Sequence, residues 1–198
     1  MENKSSIGKK ILELTFKIWY IIHMAEFRHI FEKTLANEGG YVLHEVPGDK
    51  GGMTYAGISR RHWPDWEGWK YIDVDMGSFH HSAQRCVEKF YHLKFWSLVG
   101  GNLIDYDSIA YSIYDFAVNV GVKTAVKMIQ KCLGVKADGV MGPITLSYIN
   151  SELDPDILMT EFSRRKEDRY IAICRKDPTQ LKFLQGWINR TRRVHDGK

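Results

Sequence analysis

Helical periodicity runs through most of this chain and breaks decisively in one place. Gly39, Gly40, Gly48, Gly51, Gly52 and Gly57, with Pro47 among them, crowd into one stretch. No helix crosses such a stretch, because glycine gives up the most backbone freedom on becoming helical and proline lacks a donor. Residues 41–58 are therefore expected as an irregular or short hairpin segment with helices on either side. Ahead of it, Phe27, Ile30, Phe31, Thr34 and Leu35 recur at helical spacing from Glu26 onward and mark one buried face. Gly39 and Gly40 end that helix, as glycine past a last turn commonly does.

Beyond the break the pattern is helical again. Trp63 to Asp75 reads as an aromatic loop. Asp75 or Ser78 opens a helix to about Trp96, with Ala83, Val87, Phe90 and Tyr91 inward. Asp105 or Asp107 is the expected cap of the next helix. From Ile109 to Val118 that helix is apolar nearly all round, the mark of a central, buried helix. Val122 to Leu133 follows and ends at Gly134; Asp138-Gly139 marks a turn, and Gly142-Pro143 opens another helix with proline in its first position. Asp154-Pro155 starts a long helix to about Arg175. A last helix, from about Gln180 to Arg193, is expected to point Leu181, Leu184, Trp187 and Ile188 inward. The fold class is mainly α, with one small β or turn region after the first core helix.

The chain has 198 residues, 44% hydrophobic and 26% charged, enough for a core without staples. Cys86, Cys132 and Cys174 are far apart and show no metal or disulfide spacing, so they read as buried thiols. A formal charge of +4 suits an anionic wall polymer as partner. Arg164-Arg165-Lys166 is interleaved with Glu161, Glu167 and Asp168 and reads as a solvated face; Arg190 to Arg193 reads as a solubilising or wall-contacting terminus. Nucleic acid is not an expected partner, and a monomer is expected. Between Ile7 and Met24, Lys9, Lys10, Glu13 and Lys17 break up the apolar residues, far short of the ~20 apolar residues of a membrane span. There is no cleavage site of a secretory signal. A basic amphipathic helix over residues 7–23 is expected, packed on the body or in peripheral contact with a membrane, unless Met24 is the true start.

Glu38 stands where the first core helix runs out, and Asp49 and Thr54 follow on the glycine-rich stretch. Two carboxylates and a hydroxyl brought together this way are the groups that glycosidic hydrolysis uses. A helix C-terminus and an apolar cleft would both hold Glu38 protonated, fit to donate to a leaving oxygen. The plainer readings are a solvent-facing Glu38, and an Asp49 that caps its own loop. Tyr41, Tyr55, Trp63, Trp66 and Trp69 could stack on sugar rings or pin the loop to the core. Asn119 could bind an N-acetyl group or cap its helix. His29, His44, His80 and His81 form no ligand set, so neither metal nor cofactor is expected.

Several motifs carry a family resemblance: Glu38-Gly39-Gly40-Tyr41, Asp49-x-Gly51-Gly52-x-Thr54, Gly57-Ile58, Tyr91 with Phe95-Trp96, and Asp115-Phe116-Ala117-Val118-Asn119-x-Gly121. Gln130, Asp138-Gly139-x-x-Gly142-Pro143-x-Thr145 and Phe183-x-x-Gly186-Trp187-x-x-Arg190 continue it. Together they resemble glycoside hydrolase family 108, lysozyme-like muramidases some of which are called secretion activator proteins, over roughly residues 24 to 193. The resemblance implies an α-rich lysozyme-like fold and hydrolysis of the β-1,4 bond between N-acetylmuramic acid and N-acetylglucosamine, with Glu38 as the acid. The Glu38, Asp49, Thr54 order resembles that of many phage lysozymes, in which the carboxylate holds a water or stabilises the oxocarbenium-like centre and the hydroxyl positions the water. Expected substrate contacts are Tyr41, Tyr55, Trp66 and Asn119. The chain divides into an extension (1–23), a catalytic region (24–112) and a helical peptidoglycan-domain region (113–198) in one compact unit. The expected place of action is the periplasm or cell wall, reached by an unspecified route in secretion, lysis or endolysin-like release. A lytic transglycosylase and a non-catalytic wall-binding accessory protein are the alternatives.

Overall fold

The computed structural model describes residues 27–44, 53–74 and 81–196. Residues 1–23, the segment around Asp49, Gly51 and Gly52, and the expected helix start at Asp75 or Ser78 lie outside them.

Helix α1 covers residues 27–37, and its face of Phe27, Ile30, Phe31, Thr34 and Leu35 is buried as the spacing predicts. Gly39 and Gly40 both take left-handed φ, +90° and +79°, and Gly40 N–H returns to the Leu35 carbonyl at 2.9 Å. The chain then enters a three-stranded antiparallel sheet in sequential order: β1 (Leu43–His44), β2 (Thr54–Tyr55) and β3 (Ile58–Ser59). Tyr55 pairs with Leu43 and Ile58 on the buried face; Thr54 pairs with His44 and Ser59 on the other.

The expected aromatic loop holds a short helix, α2 (Trp69–Val74). Its buried pair, Trp69 and Ile72, lies one turn apart, and Trp69 Nε1 donates to the Trp63 carbonyl at 2.8 Å. Tertiary anchoring therefore makes a helix out of six residues too few to show a period. Helix α3 (His81–Tyr91) buries Ala83, Val87, Phe90 and Tyr91, then widens into a π turn, His92–Trp96. A 3₁₀ turn, Gly101–Leu103, leads on to α4.

Helix α4 (Asp107–Val120) is the axis of the molecule, with every residue from Ile109 to Ala117 buried. Neither Asp105 nor Asp107 caps it: Tyr106 is the N-cap, without a side-chain bond, and Asp107 lies within the first turn, where its charge suits the helix dipole. Phe27 of α1 packs its ring 6.0 Å from Tyr114 and 5.6 Å from Trp96, which fixes α1, and so Glu38 at its end, against α4. Helices α5 (Val122–Cys132), α6 (Pro143–Asn150) and α7 (Pro155–Lys176) follow. Asp154 caps α7 by accepting from Ile157 N–H. Gln130, fully buried, holds the turn between α5 and α6. Its amide donates to Asp138 Oδ1, the Val140 carbonyl and Thr145 Oγ1, and its oxygen accepts from Gly139 N–H.

Helix α8 (Leu181–His195) packs on α7 and α4. Its inward face differs from the expected one. Leu181 is exposed, Leu184, Trp187 and Ile188 are half-buried, and the residues fully enclosed are Thr191 and Val194 near its far end. Trp187 stacks on Tyr170 at 5.0 Å, so docking tightens toward the C-terminal turns. Cys86 and Cys174 are buried and Cys132 is half-buried; all three are free thiols. Burial pushes the Cys132 thiol up to about 11.

Candidate active site

Glu38 follows α1 directly, in the turn closed by Gly39 and Gly40. Its surroundings are not the apolar cleft anticipated from the sequence. Arg190 Nη1 of α8 donates to Glu38 Oε1 at 2.9 Å. The same guanidinium donates from Nε to Asp115 Oδ2 and from Nη2 to Asp115 Oδ1, both at 2.9 Å. Asp115 lies on buried α4, its side chain 7% exposed; Arg190 is 14% and Glu38 24% exposed. The planar fork of arginine suits this arrangement: one edge grips a carboxylate bidentately and a remaining N–H reaches a second one. Burial works against the Arg190 charge, but the hydrogen bonds and charges of Asp115 and Glu38 outweigh it, so its pKa is raised.

The neighbouring residue joins the same network. Asn37 Nδ2 donates to Asp115 Oδ1 at 3.4 Å, and Arg193 Nη2 donates to Asn37 Oδ1 at 3.1 Å. The expected solubilising terminus, Arg190 to Arg193, thus supplies two side chains to the end of α1. Spacing along the chain could not show this, because 152 positions separate Glu38 from Arg190. A signal existed: Asp115 interrupts an apolar helix, and a buried carboxylate requires a cation.

Glu38 Oε2 faces the turn between β2 and β3. That turn has two residues, Ala56 at φ +49° and Gly57 at φ +78°. A two-residue hairpin loop with both φ positive follows the strand twist but strains a residue that carries a side chain. Ala56 is held by its N–H to the Val42 carbonyl at 3.1 Å, while its carbonyl accepts from the Tyr91 hydroxyl at 2.9 Å. A Cβ at Gly57 would lie 2.6 Å from Tyr91 Oη and 3.4 Å from Glu38 Oε2. Glycine is thus required both for φ and for the closeness of the turn to the Tyr91 hydroxyl, with Glu38 in contact beside it. Burial, and secondarily the Glu38 charge, push the Tyr91 hydroxyl well above the ordinary tyrosine range. It stays a donor.

Thr54 is half-buried on β2, on the hairpin whose turn abuts Glu38. Asp49 lies outside the described residues. Tyr41 and Tyr55 have ring centroids 6.4 Å apart, and Tyr55 stacks on Trp66 at 6.3 Å. Burial, then the Glu88 charge, push Tyr41 up to about 12, and burial raises Tyr55, so both present neutral hydroxyls. Trp66 is buried, with Nε1 donating to the Cys86 carbonyl at 3.4 Å, which makes it a part of the aromatic core. Of the clustered tryptophans, Trp63 is the exposed one, at 37%, with Lys94 Nζ 5.0 Å above its ring. Asn119 is exposed near the end of α4, which Gly121 caps. The structure thus brings Glu38 and the Thr54 hairpin together, stacks Trp66 in the core against Tyr55 of that hairpin, and leaves Asn119 exposed near the end of α4. Among the described residues no group of three His, Cys, Asp or Glu could hold a metal ion, and no helix is long and apolar enough to cross a membrane.

Residues 31–121 match the glycosyl hydrolase 108 family, and residues 124–192 match a predicted peptidoglycan domain. The chain thus matches, over residues 31–121, the family that its motifs resemble. It is similar to a solved structure, SagA of Brucella abortus, at 28% identity and a TM-score of 0.65, over 86% of this chain and 91% of that one. No curated protein matches it. The mainly α architecture with a small sheet agrees with the family's lysozyme-like fold. Together the two matched segments support a glycoside hydrolase directed at peptidoglycan and point to action at the cell wall.

Proposed function

We propose that this protein is a family 108 N-acetylmuramidase, cleaving the β-1,4 bond between N-acetylmuramic acid and N-acetylglucosamine by attack of water. Glu38 protonates the leaving sugar oxygen. Asp49 holds or activates the attacking water, and Thr54 helps to orient it. Tyr41 and Tyr55 offer rings and hydroxyls to the glycan, and Asn119 a side-chain amide. The observation that carries this reading is the two-sided setting of Glu38. One carboxylate oxygen is engaged by Arg190, and the other faces a turn where Gly57 leaves room for close approach. With a water-borne mechanism the anomeric centre inverts, and the first product is the α-anomer. In the cell such an activity would serve protein release or lysis through a locally opened wall.

The test is mass spectrometry of fragments released from defined peptidoglycan, with NMR of the first-formed anomer. Muropeptides ending in a reducing N-acetylmuramic acid are expected. Anhydro ends would make the protein a lytic transglycosylase, with Glu38 serving as acid and then base. No cleavage, together with retention on the polymer, would make it a wall-binding accessory protein. An initial β-anomer would overturn the assigned role of Asp49.

A further inference from the structure

We propose that the segment matching a peptidoglycan domain acts as half of the catalytic centre, through Arg190 as the positioning residue of Glu38; this rests on the muramidase reading above. The match to the hydrolase family ends at residue 121, and Arg190 lies within the second match, at 124–192. Yet Arg190 reaches Glu38 itself, and each of its three nitrogens donates to a carboxylate. Nε and Nη2 are committed to Asp115, so the guanidinium plane cannot swing, and Nη1 is left aimed at Glu38 Oε1. Asp115 belongs to the first segment and is enclosed. The second segment thus supplies a cation, the first supplies the anvil that orients it, and the catalytic carboxylate is the third party.

This geometry assigns different work to the two oxygens of Glu38. Oε1 is already held by a group that cannot lose its proton, which leaves Oε2 the freer oxygen. The proton for the leaving oxygen is therefore assigned to pass through Oε2, the oxygen that faces Gly57. When it departs, the O–H bond breaks, the electron pair stays on the carboxylate, and the negative charge forms beside a guanidinium already in place. No rearrangement is required at that moment, which is how a fixed charge assists a transition state. Arg193 acts one residue away: through Asn37 it helps to keep the end of α1 at this distance from α8.

Arg190→Ala and Arg190→Lys in the full-length protein, assayed on soluble peptidoglycan fragments, test the assignment. Lysine keeps the charge but, as a point donor, cannot grip Asp115 bidentately and reach Glu38 in one orientation. For Arg190→Ala, kcat is expected to fall about 100-fold with KM within about twofold, and millimolar guanidinium is expected to restore part of it. Arg190→Lys is expected to fall about tenfold, and guanidinium, which has no space to enter, to leave it unchanged. Should the alanine variant fail to fold, the lysine variant decides alone: kcat near that of the unmodified protein overturns the proposal. A raised KM with unchanged kcat would overturn it too, by returning the segment to simple wall binding. So would an alanine variant that folds but does not respond to guanidinium. Glu38→Gln run in parallel separates the two readings. If that variant is active, the muramidase assignment fails; if it is inactive while Arg190→Ala keeps its kcat, the present inference alone fails.

Discussion

The hairpin side of the molecule and the helical bundle solve different problems. From Glu38 to Ser59 the described chain has three strands of two residues each and left-handed φ at Gly39, Gly40, Ala56 and Gly57. From Asp107 to His195 it has long helices around a continuous buried core. The first region carries Glu38, the proposed acid, and the second carries far more of the burial. The contrast teaches that the place of Glu38 is not set by its own region alone. It is held from outside, by Arg190 and Asp115, and by a Tyr91 hydroxyl that grips the hairpin turn. Irregular segments accommodate a bulky polymer, while packed helices hold atoms in place.

The largest expected effect separates chemistry from structure. Glu38→Gln should lower turnover by about 10²–10⁴-fold while the thermal midpoint stays close to that of the parent, because the shape of the side chain is conserved. A variant within a few-fold of full activity would remove Glu38 from the site.

Next in size is a pair of glycine substitutions, one on each side. Gly57→Ala brings a methyl 2.6 Å from Tyr91 Oη at a positive φ, whereas Gly134→Ala, at φ +68°, meets nothing within 4 Å. Gly134→Ala should cost about 1–2 kcal/mol of backbone strain and no activity. Gly57→Ala should cost at least as much stability and lower kcat about 10- to 100-fold, since the turn must shift from the Tyr91 hydroxyl and Glu38 lies against that turn. Equal activity in the two variants would show that the hairpin does not set the position of the acid.

A third experiment addresses the bundle alone. Lys166, 2% exposed on α7, donates to Ser112 Oγ at 2.8 Å and lies over the rings of Phe162 and Phe116. Burial lowers its pKa to about 8, with the Asp115 charge opposing. Unfolded lysine titrates near 10.4, so between the two values the unfolded chain binds more protons and stability rises with pH. Chemical denaturation should show a gain of about 2 kcal/mol from pH 8 to 10, absent in Lys166→Met. Above pH 10 the raised pKa values of buried Tyr111 and Tyr170 act in the opposite direction. A parent protein with no upward slope in that window would mean that Lys166 keeps its proton.

The last experiment concerns Gln130, whose effect on activity is expected to be nil. Gln130→Leu leaves the Gly139 N–H without its acceptor and loosens the 138–145 turn, at about 1–3 kcal/mol, with kcat unchanged. A fall in kcat would show that the turn between α5 and α6 reaches the site after all.

How much of this was legible in the sequence depended on distance along the chain. Helices α1 and α4 to α8 showed in the spacing of Phe27, Ile30 and Phe31 and in the apolar run from Ile109, because helical contacts are local. The stops at Gly39 and Gly134 and the start at Gly142-Pro143 were equally readable. Helix α2 was not, since Trp69 and Ile72 form one turn that exists by being pinned. The hairpin turn was hidden because Ala56-Gly57 lacks the usual Asn-Gly or Asp-Gly mark. Glu38 stood out by its place at a helix end, whereas the role of Arg190 required the bundle to be built first. Asp115 and Arg190 both sit in the quoted family motifs, so the pattern held them without saying why. Asp49 lies outside the described residues, and its part in the reaction stays with the proposal.

The 152 positions between Glu38 and Arg190 also set a schedule. A chain leaving the ribosome can form α1, α3 and α4 from local contacts well before α8 exists, since contacts close in sequence form early and distant closures late. Through that interval Glu38 has no guanidinium beside it, and Asp115 has no cation. On the assignment proposed for Arg190, a glycan-cutting protein built in this order stays well below full activity while it is being made. The geometry around Glu38 is completed in one event, when the last helix docks, and a chain released before α8 is complete would lack the guanidinium that holds Oε1.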